Sequence, residues 1–251
     1  VPSIGAIRAY LRRAPYLHAY ELGDLDPREA AHCEWLATDA VDAVALIYRG
    51  LSVPTLIALT EGDPAALCRL IESAAGALPA EFYAHLSAGI EPVLAARHEL
   101  ALLGENRKMA LVTPPGAGSE DPAIIQLGPE HAAQAVRFYA EAYPASYFEP
   151  INLERGPYLA VFDDRGIAAI AGVHVYSPVE RVASLGNIAT RGDARSRGHA
   201  RRVTAALCRR LRDEIDIIGL NVRADNAAAI ACYRAVGFEE RHAYKEWHVR
   251  R

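Results

Sequence analysis

Cysteine is scarce and scattered in this chain. The four residues, Cys33, Cys68, Cys208 and Cys232, lie far apart and form no C-x-x-C pair. A disulfide framework is therefore not the organising device, and no metal site is expected. Such cysteines read as reduced thiols packed in the core of a cytoplasmic protein. Long apolar runs are missing too: none approaches the ~20 residues of a membrane span. No leader peptide is visible, and the chain begins at Val1 rather than Met, which leaves room for an earlier segment. An excess of positive charge is also absent. Lys and Arg number 27 against 31 Asp and Glu, a formal net charge of −4. That balance argues against a general nucleic-acid binder, although local basic patches occur on acidic proteins.

What is present is enough for one large or two modest domains: 251 residues, 51% hydrophobic and 23% charged. Ile4, Ile7, Tyr10 and Leu11 fit a helical stripe that Pro15 ends, and Leu17, Tyr20 and Leu22 continue an apolar face. Strands are expected at 33–37, 44–48 and 55–60. A helix follows with Pro64 at its first position and Leu67, Leu70 and Ile71 buried. A strand at 82–86, a short helix at 91–98 and a strand at 108–112 complete the first half. The Pro- and Gly-rich stretch 113–122 reads as a linker. Beyond it come a strand at 123–127 and a helix burying Ala132, Ala135, Val136 and Tyr139. An aromatic loop, 143–150, precedes a hairpin of strands 158–162 and 167–176 that turns at Gly166.

The most informative stretch runs from 183 to 238. An apolar strand, 183–190, leads into a basic turn, 191–200, and then a helix with Ala200, Val203, Leu207 and Leu211 on one face. Gly198 lets a ligand approach the backbone. The first N–H groups of the helix lack intrahelical partners and sit at the positive end of its dipole, which suits phosphate oxygens. Arg191, Arg195, Arg197, Arg201 and Arg202 add positive charge around the same point, and a guanidinium can donate two bonds to one phosphate. The bland alternative is a solvated helix start with ordinary surface arginines. The helix carries no interleaved aromatics, which counts against nucleic-acid binding. A second strand, 217–222, leads to Asn226, a good N-cap, and a helix that stops at Gly237.

Arg195-x-x-Gly198-x-Ala200 resembles the pyrophosphate signature of the GNAT N-acetyltransferase superfamily, with Ala200 in place of the more frequent second glycine. Asn226-x-x-Ala229-x-x-x-Tyr233-x-x-x-Gly237-Phe238 is similar to that family's next motif. The resemblance implies an α/β (α+β) fold with a mixed, largely antiparallel central sheet flanked by helices. It also implies acetyl-CoA as co-substrate and a primary amine, small-molecule or peptide, as acceptor. Pyrophosphate would sit on main-chain N–H groups of Arg195, Ser196, Arg197, Gly198, His199, Ala200 and Arg201. Pantetheine would lie between the two diverging strands, against Ile188, Ala189, Thr190 and Asn221, with Asn226 and Tyr233 on the following helix. Main-chain N–H groups near Ile188 and Thr190 would stabilise the oxyanion of a tetrahedral intermediate. Tyr233 is the expected general acid for the departing thiolate. Glu149, in the loop bordering the acceptor site in related proteins, and His174, whose ordinary pKa lies near neutrality, are the alternatives for a base, beside a water chain. Asn187 either orients substrate or bonds within its strand. Tyr143, Tyr147 and Phe148 either wall the acceptor site or simply pack.

Strand, turn, helix, strand, helix, strand occurs from Thr55 to Val112 and again from Ala183 to Val249. This suggests a tandem protein: residues 1–116 a degenerate copy or accessory α/β domain, residues 117–251 the catalytic domain. The acidic turn Glu61-Gly62-Asp63 would repel pyrophosphate, so no cofactor is expected in the first copy. Two further readings keep the fold: an amino-acid N-acyltransferase using a longer acyl-CoA, and a non-catalytic CoA sensor. The oligomeric state is open.

Overall fold

The computed structural model describes residues 2–116 and 121–251. Residues 117–120 of the expected linker, like Val1, lie outside the described residues. The chain forms two compact units that interleave in sequence. Unit 1 takes Val1–Lys108, Val222–Asn226 and Glu240–Arg251; unit 2 takes Met109–Asn221 and Ala227–Glu239. Both are mixed α/β, with largely antiparallel sheet and flanking helices.

Unit 1 opens with helices α1 (Ile4–Leu11) and α2 (Ala19–Gly23). Strands β1 (Cys33–Ala37), β2 (Val44–Tyr48) and β3 (Thr55–Ala58) pair antiparallel in sequence order. Helix α3 (Ala65–Ser73) then carries the chain to β4 (Glu81–Leu86), which lies parallel to β3. Helix α4 (Glu91–Ala95) and strand β5 (Glu99–Leu111) follow. The end of the last strand, β11 (Phe238–Arg250), returns to pair antiparallel with β4 from Lys245 to Arg250.

The continuous apolar sequence of β2 and β3 has a physical cause: both faces are covered. Ala45, Ile47, Leu56 and Ala58 join Leu67, Leu70, Ile71 and Leu94 of α3 and α4 in one cluster. Their neighbours Leu46, Ile57 and Leu59 join Ala14, Leu17 and Tyr244 in another. The period-two alternation therefore separates two cores rather than core from water.

Unit 2 starts from β6 (Ile124–Gln126), α5 (Ala132–Ala142) and the short α6 (Asn152–Arg155). Strands β7 (Leu159–Asp163), β8 (Gly166–Ser177) and β9 (Val182–Thr190) then run antiparallel in order, with β6 beside β7. Helix α7 (His199–Leu211) returns the chain to β10 (Ile217–Arg223), which pairs parallel with β9, and α8 (Ala227–Val236) follows. Helix α7 packs against β7, β8, β9 and α8, and α5 against β8 and β9.

Three local differences from the sequence reading have simple causes. Val136 is 44% exposed, and Phe138 takes its place in the buried stripe of α5 beside Ala135 and Tyr139. Strand β5 begins at Glu99, nine residues before the apolar segment that signals it, because its first half is mostly polar or exposed. Ile4 is 47% exposed, so α1 buries only Ile7 and Leu11.

Candidate functional site

The parallel pair β9–β10 is in register from Val182↔Ile217 to Leu185↔Leu220. Past that point β9 continues to pair with β8, through Ala189↔Ile170 and Thr190↔Ala169, while its ladder with β10 stops. The two strands thus fork, with Ile188, Ala189 and Thr190 on one prong and Asn221 on the other. The Asn221 side-chain Nδ2 is buried at this fork with no hydrogen-bond partner. A buried, unpaired amide donor is costly. A carbonyl oxygen brought into the fork would reach it once the side chain turns outward.

The turn after β9 is shaped for an anion. Ser196 (φ 62°) and Gly198 (φ 78°) are both left-handed, which alternates the backbone as anion-binding nests require. A Cβ at Gly198 would meet nothing within 4 Å, so the backbone there is bare. Helix α7 begins at the next residue, His199, with Ala200 and Arg201 in its first turn. Arg195 and Arg197 are exposed; Arg195 reaches only the Thr190 carbonyl, at 3.4 Å.

Two of the arginines expected to be mobile are committed instead. Arg191 is buried and donates to Asp193 at 2.6 Å, Asp163 at 2.7 Å and the Ile167 carbonyl at 2.8 Å. Those bonds raise its pKa and make it a staple between the β7–β8 hairpin and the end of β9. Arg202 is held by Asp121, its Nε at 2.9 Å, and its other contact is His199 at 3.4 Å. A groove of about 500 Å³ runs beside α7, lined by Arg201, Arg202 and Arg209 among others. It shares only Arg201 with the turn and does not enter the fork, so the site rests on strand and turn geometry rather than on this groove.

Tyr233 on α8 is 8% exposed. Burial, with the neighbouring Cys232 and Tyr143, pushes its pKa up, so the phenol stays protonated near neutrality. The ring meets Phe238 edge-on, and no hydrogen bond to its hydroxyl is made by any described residue. The other two buried tyrosines of unit 2 are engaged. Tyr139 donates to the Asn187 carbonyl at 2.6 Å and Tyr158 to the Val173 carbonyl at 3.0 Å. Tyr233 is thus the buried phenol of unit 2 left with a proton to give.

The candidate bases separate clearly. Glu149 is exposed in its loop, where its main-chain N–H donates to Asn152 Oδ1 at 2.6 Å. His174 on β8 is exposed. Desolvation lowers its pKa, opposed by the Asn187 amide. A neutral imidazole at pH 7 can accept a proton, which favours His174. Of the three loop aromatics, Phe148 stacks on Tyr139 at 4.5 Å and meets Tyr158 edge-on, whereas Tyr143 and Tyr147 are exposed. Asn226 directly precedes α8 in the chain and is counted with unit 1.

Sequence reading missed Tyr158 and the paired glycines beside it. Gly172 and Gly186 face each other across β8 and β9. A Cβ at Gly172 would sit 2.1 Å from the Tyr158 ring, and one at Gly186 would sit 2.3 Å from the His174 ring. Single glycines inside strand patterns were the available signal. Gly186→Ala should therefore displace His174 and destabilise the protein by about 1–2 kcal/mol. A thermal melt indistinguishable from wild type would contradict that packing.

Residues 128–238 match the model of the Acetyltransferase (GNAT) family. This part of the chain is a GNAT acetyltransferase domain. No curated protein matches the chain in sequence. Solved structures similar to it include a GNAT-family protein from Novosphingobium aromaticivorans DSM 12444, 18% identical, covering 92% of this chain and 96% of that one, with a TM-score of 0.63. A GCN5-related N-acetyltransferase from Kribbella flavida is 17% identical, covers 99% and 96%, and scores 0.60. A tandem GNAT protein from the clavulanic acid biosynthesis pathway is 15% identical, covers 92% and 86%, and scores 0.52. At these identities the likeness speaks for the fold. The GNAT domain assigns acyl transfer as the general chemistry, and no helix among the described residues is long and apolar enough to cross a membrane.

Proposed function

We propose that unit 2 transfers the acetyl group of acetyl-CoA to a primary amine. The observation that carries the reading is the fork. Strands β9 and β10 part just before a left-handed, unobstructed turn at a helix mouth, and an unpaired amide donor, Asn221 Nδ2, is buried on one prong. In this reading the N–H groups from Arg195 to Arg201 hold the pyrophosphate, with Arg195, Arg197 and Arg201 as its counter-charges. Asn221 and the edge from Ile188 to Thr190 hold the pantetheine arm by main-chain and amide bonds.

The chemistry then follows from the residues present. His174 takes a proton from the acceptor ammonium, which frees the nitrogen lone pair for attack on the thioester carbonyl carbon. N–H groups of the irregular stretch at Asn187 and Ile188 face the oxygen that becomes negative. The tetrahedral intermediate collapses with cleavage of the C–S bond, Tyr233 gives its phenolic proton to the thiolate, and the second proton of the attacking nitrogen returns to the Tyr233 oxygen, leaving the amide. Phe148, Tyr139 and Tyr158 supply an apolar wall for the acceptor.

Unit 1 we read as a degenerate copy of the same fold. It too contains a parallel strand pair, β3–β4, followed by a turn and a helix. There the mouth is stitched shut. The Ser87 hydroxyl accepts from the Thr60 N–H at 2.9 Å and donates to the Thr60 carbonyl at 3.1 Å. The acidic turn satisfies its own backbone: Gly62 N–H donates to Thr60 Oγ1 and Ala65 N–H to Asp63 Oδ1. These bonds take up the main-chain N–H groups of Thr60, Gly62 and Ala65.

The test is a pair of measurements on the full chain. Calorimetry with acetyl-CoA should show saturable binding, and a thiol-release assay against a panel of amines should show turnover. Binding without release for any amine would sink the enzyme reading; no binding would sink the site.

A further inference from the structure

Asn187 occupies an unusual place in β9. Gly186 pairs with Gly172 and Ala189 with Ile170, so Asn187 and Ile188 together stand opposite the single residue Ala171. That is a bulge, and Asn187 adopts φ 52°, a left-handed conformation uncommon for any residue but glycine. Strain of this kind persists only where the surroundings over-determine it. Here they do. The Tyr139 hydroxyl grips the Asn187 carbonyl at 2.6 Å, and Asn187 Nδ2 donates to the Tyr158 hydroxyl at 2.9 Å. Tyr158 is itself fixed by its own bond to the Val173 carbonyl.

The side-chain amide is therefore locked in one orientation, with its two ends distinguished. Nδ2 gives one N–H to Tyr158. Oδ1 is buried and makes no hydrogen bond, and Asn187 as a whole is 4% exposed. Sealed as it is, Oδ1 is out of reach of an incoming substrate. The donor beside it is the His174 imidazole, whose ring lies against Gly186, the residue before Asn187, in space that any Cβ would fill. The Asn187 amide favours the protonated imidazole, so the two groups already interact. A hydrogen bond from the ring to Oδ1 removes a buried orphan acceptor.

We propose that Asn187 is a positioning residue: its Oδ1 accepts the N–H of one His174 ring nitrogen and thereby fixes the neutral tautomer whose lone pair faces outward. The Tyr158–Asn187 bond has one direction because Tyr158 donates to the Val173 carbonyl and accepts from Asn187, which holds Nδ2 on the Tyr158 side and leaves Oδ1 as the orphan acceptor. The inference rests on the reading of His174 as the base of the acyl transfer for its catalytic meaning. The tautomer itself does not depend on that reading. The Tyr139 and Tyr158 phenols border this cluster, both kept neutral by burial, Tyr158 with its pKa pushed up to about 12.

The experiment is nuclear magnetic resonance on the full-length protein with isotope-labelled imidazole nitrogens, His174 being assigned through His174→Gln. Wild type should show a single neutral tautomer. Asn187→Ala should show a mixture. Asn187→Asp, which keeps the shape and adds a negative charge, should raise the His174 pKa by about one unit or more. Tyr158→Phe, which frees the amide to rotate, guards against an Asn187 variant that fails to fold and should also give a mixture. A mixed tautomer in wild type, or an unchanged ratio in the folded variants, overturns the proposal. No CoA or acceptor is needed, so a missing acetyl transfer would refute the enzyme reading without touching this result.

Discussion

Arg195→Glu combined with Arg197→Glu is expected to weaken acetyl-CoA binding about a hundredfold. Each reversal replaces an attraction with a repulsion near the pyrophosphate. Four units of charge change in all, each worth somewhat under the roughly 1 kcal/mol of contacting charges in water; a hundredfold is about 2.7 kcal/mol. Both side chains are exposed, and between them they make one weak 3.4 Å contact among the described residues, from Arg195 to the Thr190 carbonyl. The melting temperature should therefore move little, as for most surface changes. Raising the salt concentration should narrow the gap between variant and wild type, since exposed charges are screened. Arg191→Glu is the instructive contrast. That guanidinium is buried between Asp163 and Asp193, so its reversal should destabilise the fold outright. Unchanged affinity in the double variant, measured by calorimetry, would move the pyrophosphate elsewhere.

Tyr233→Phe should lower turnover by about a hundredfold while leaving the acetyl-CoA dissociation constant within about twofold. The ring and its edge-on contact with Phe238 survive the change, so packing is preserved and only the proton is lost. Burial raises the phenol's pKa above its ordinary value near 10, so ionisation of Tyr233 lies above the neutral range. Any loss of rate on the acid side of neutrality belongs to the base instead. His174 has its pKa lowered by desolvation, and its protonation as pH falls through that pKa should remove activity. A Tyr233→Phe enzyme with a full-speed chemical step would leave this tyrosine as core.

The fork and its turn were legible because they obey local rules. Gly198 before an amphipathic helix, and apolar strands on either side of it, signal themselves by spacing alone. Strands β2 and β3 were legible for a similar reason: short apolar runs bounded by turn residues, buried on both faces. What the sequence hid was decided by partners far along the chain. Arg191 and Arg202 look like any other arginine of the basic turn until Asp163 and Asp121 claim them. The bulge at Asn187 depends on phenols from α5 and the edge of β7, 48 and 29 residues away. The first half of β5 carries no apolar period at all, and its pairing rather than its composition makes it a strand.

The return of the last strand to β4 has a consequence for biosynthesis. Unit 1 takes Val1–Lys108 and also the much later segment Glu240–Arg251. Emerging vectorially from a ribosome, the earlier segment must wait with one edge of its sheet open until Lys245–Arg250 has been made. An open edge of that kind is a template for wrong partners. Truncation after Glu239 would therefore damage the first unit rather than merely trim the second.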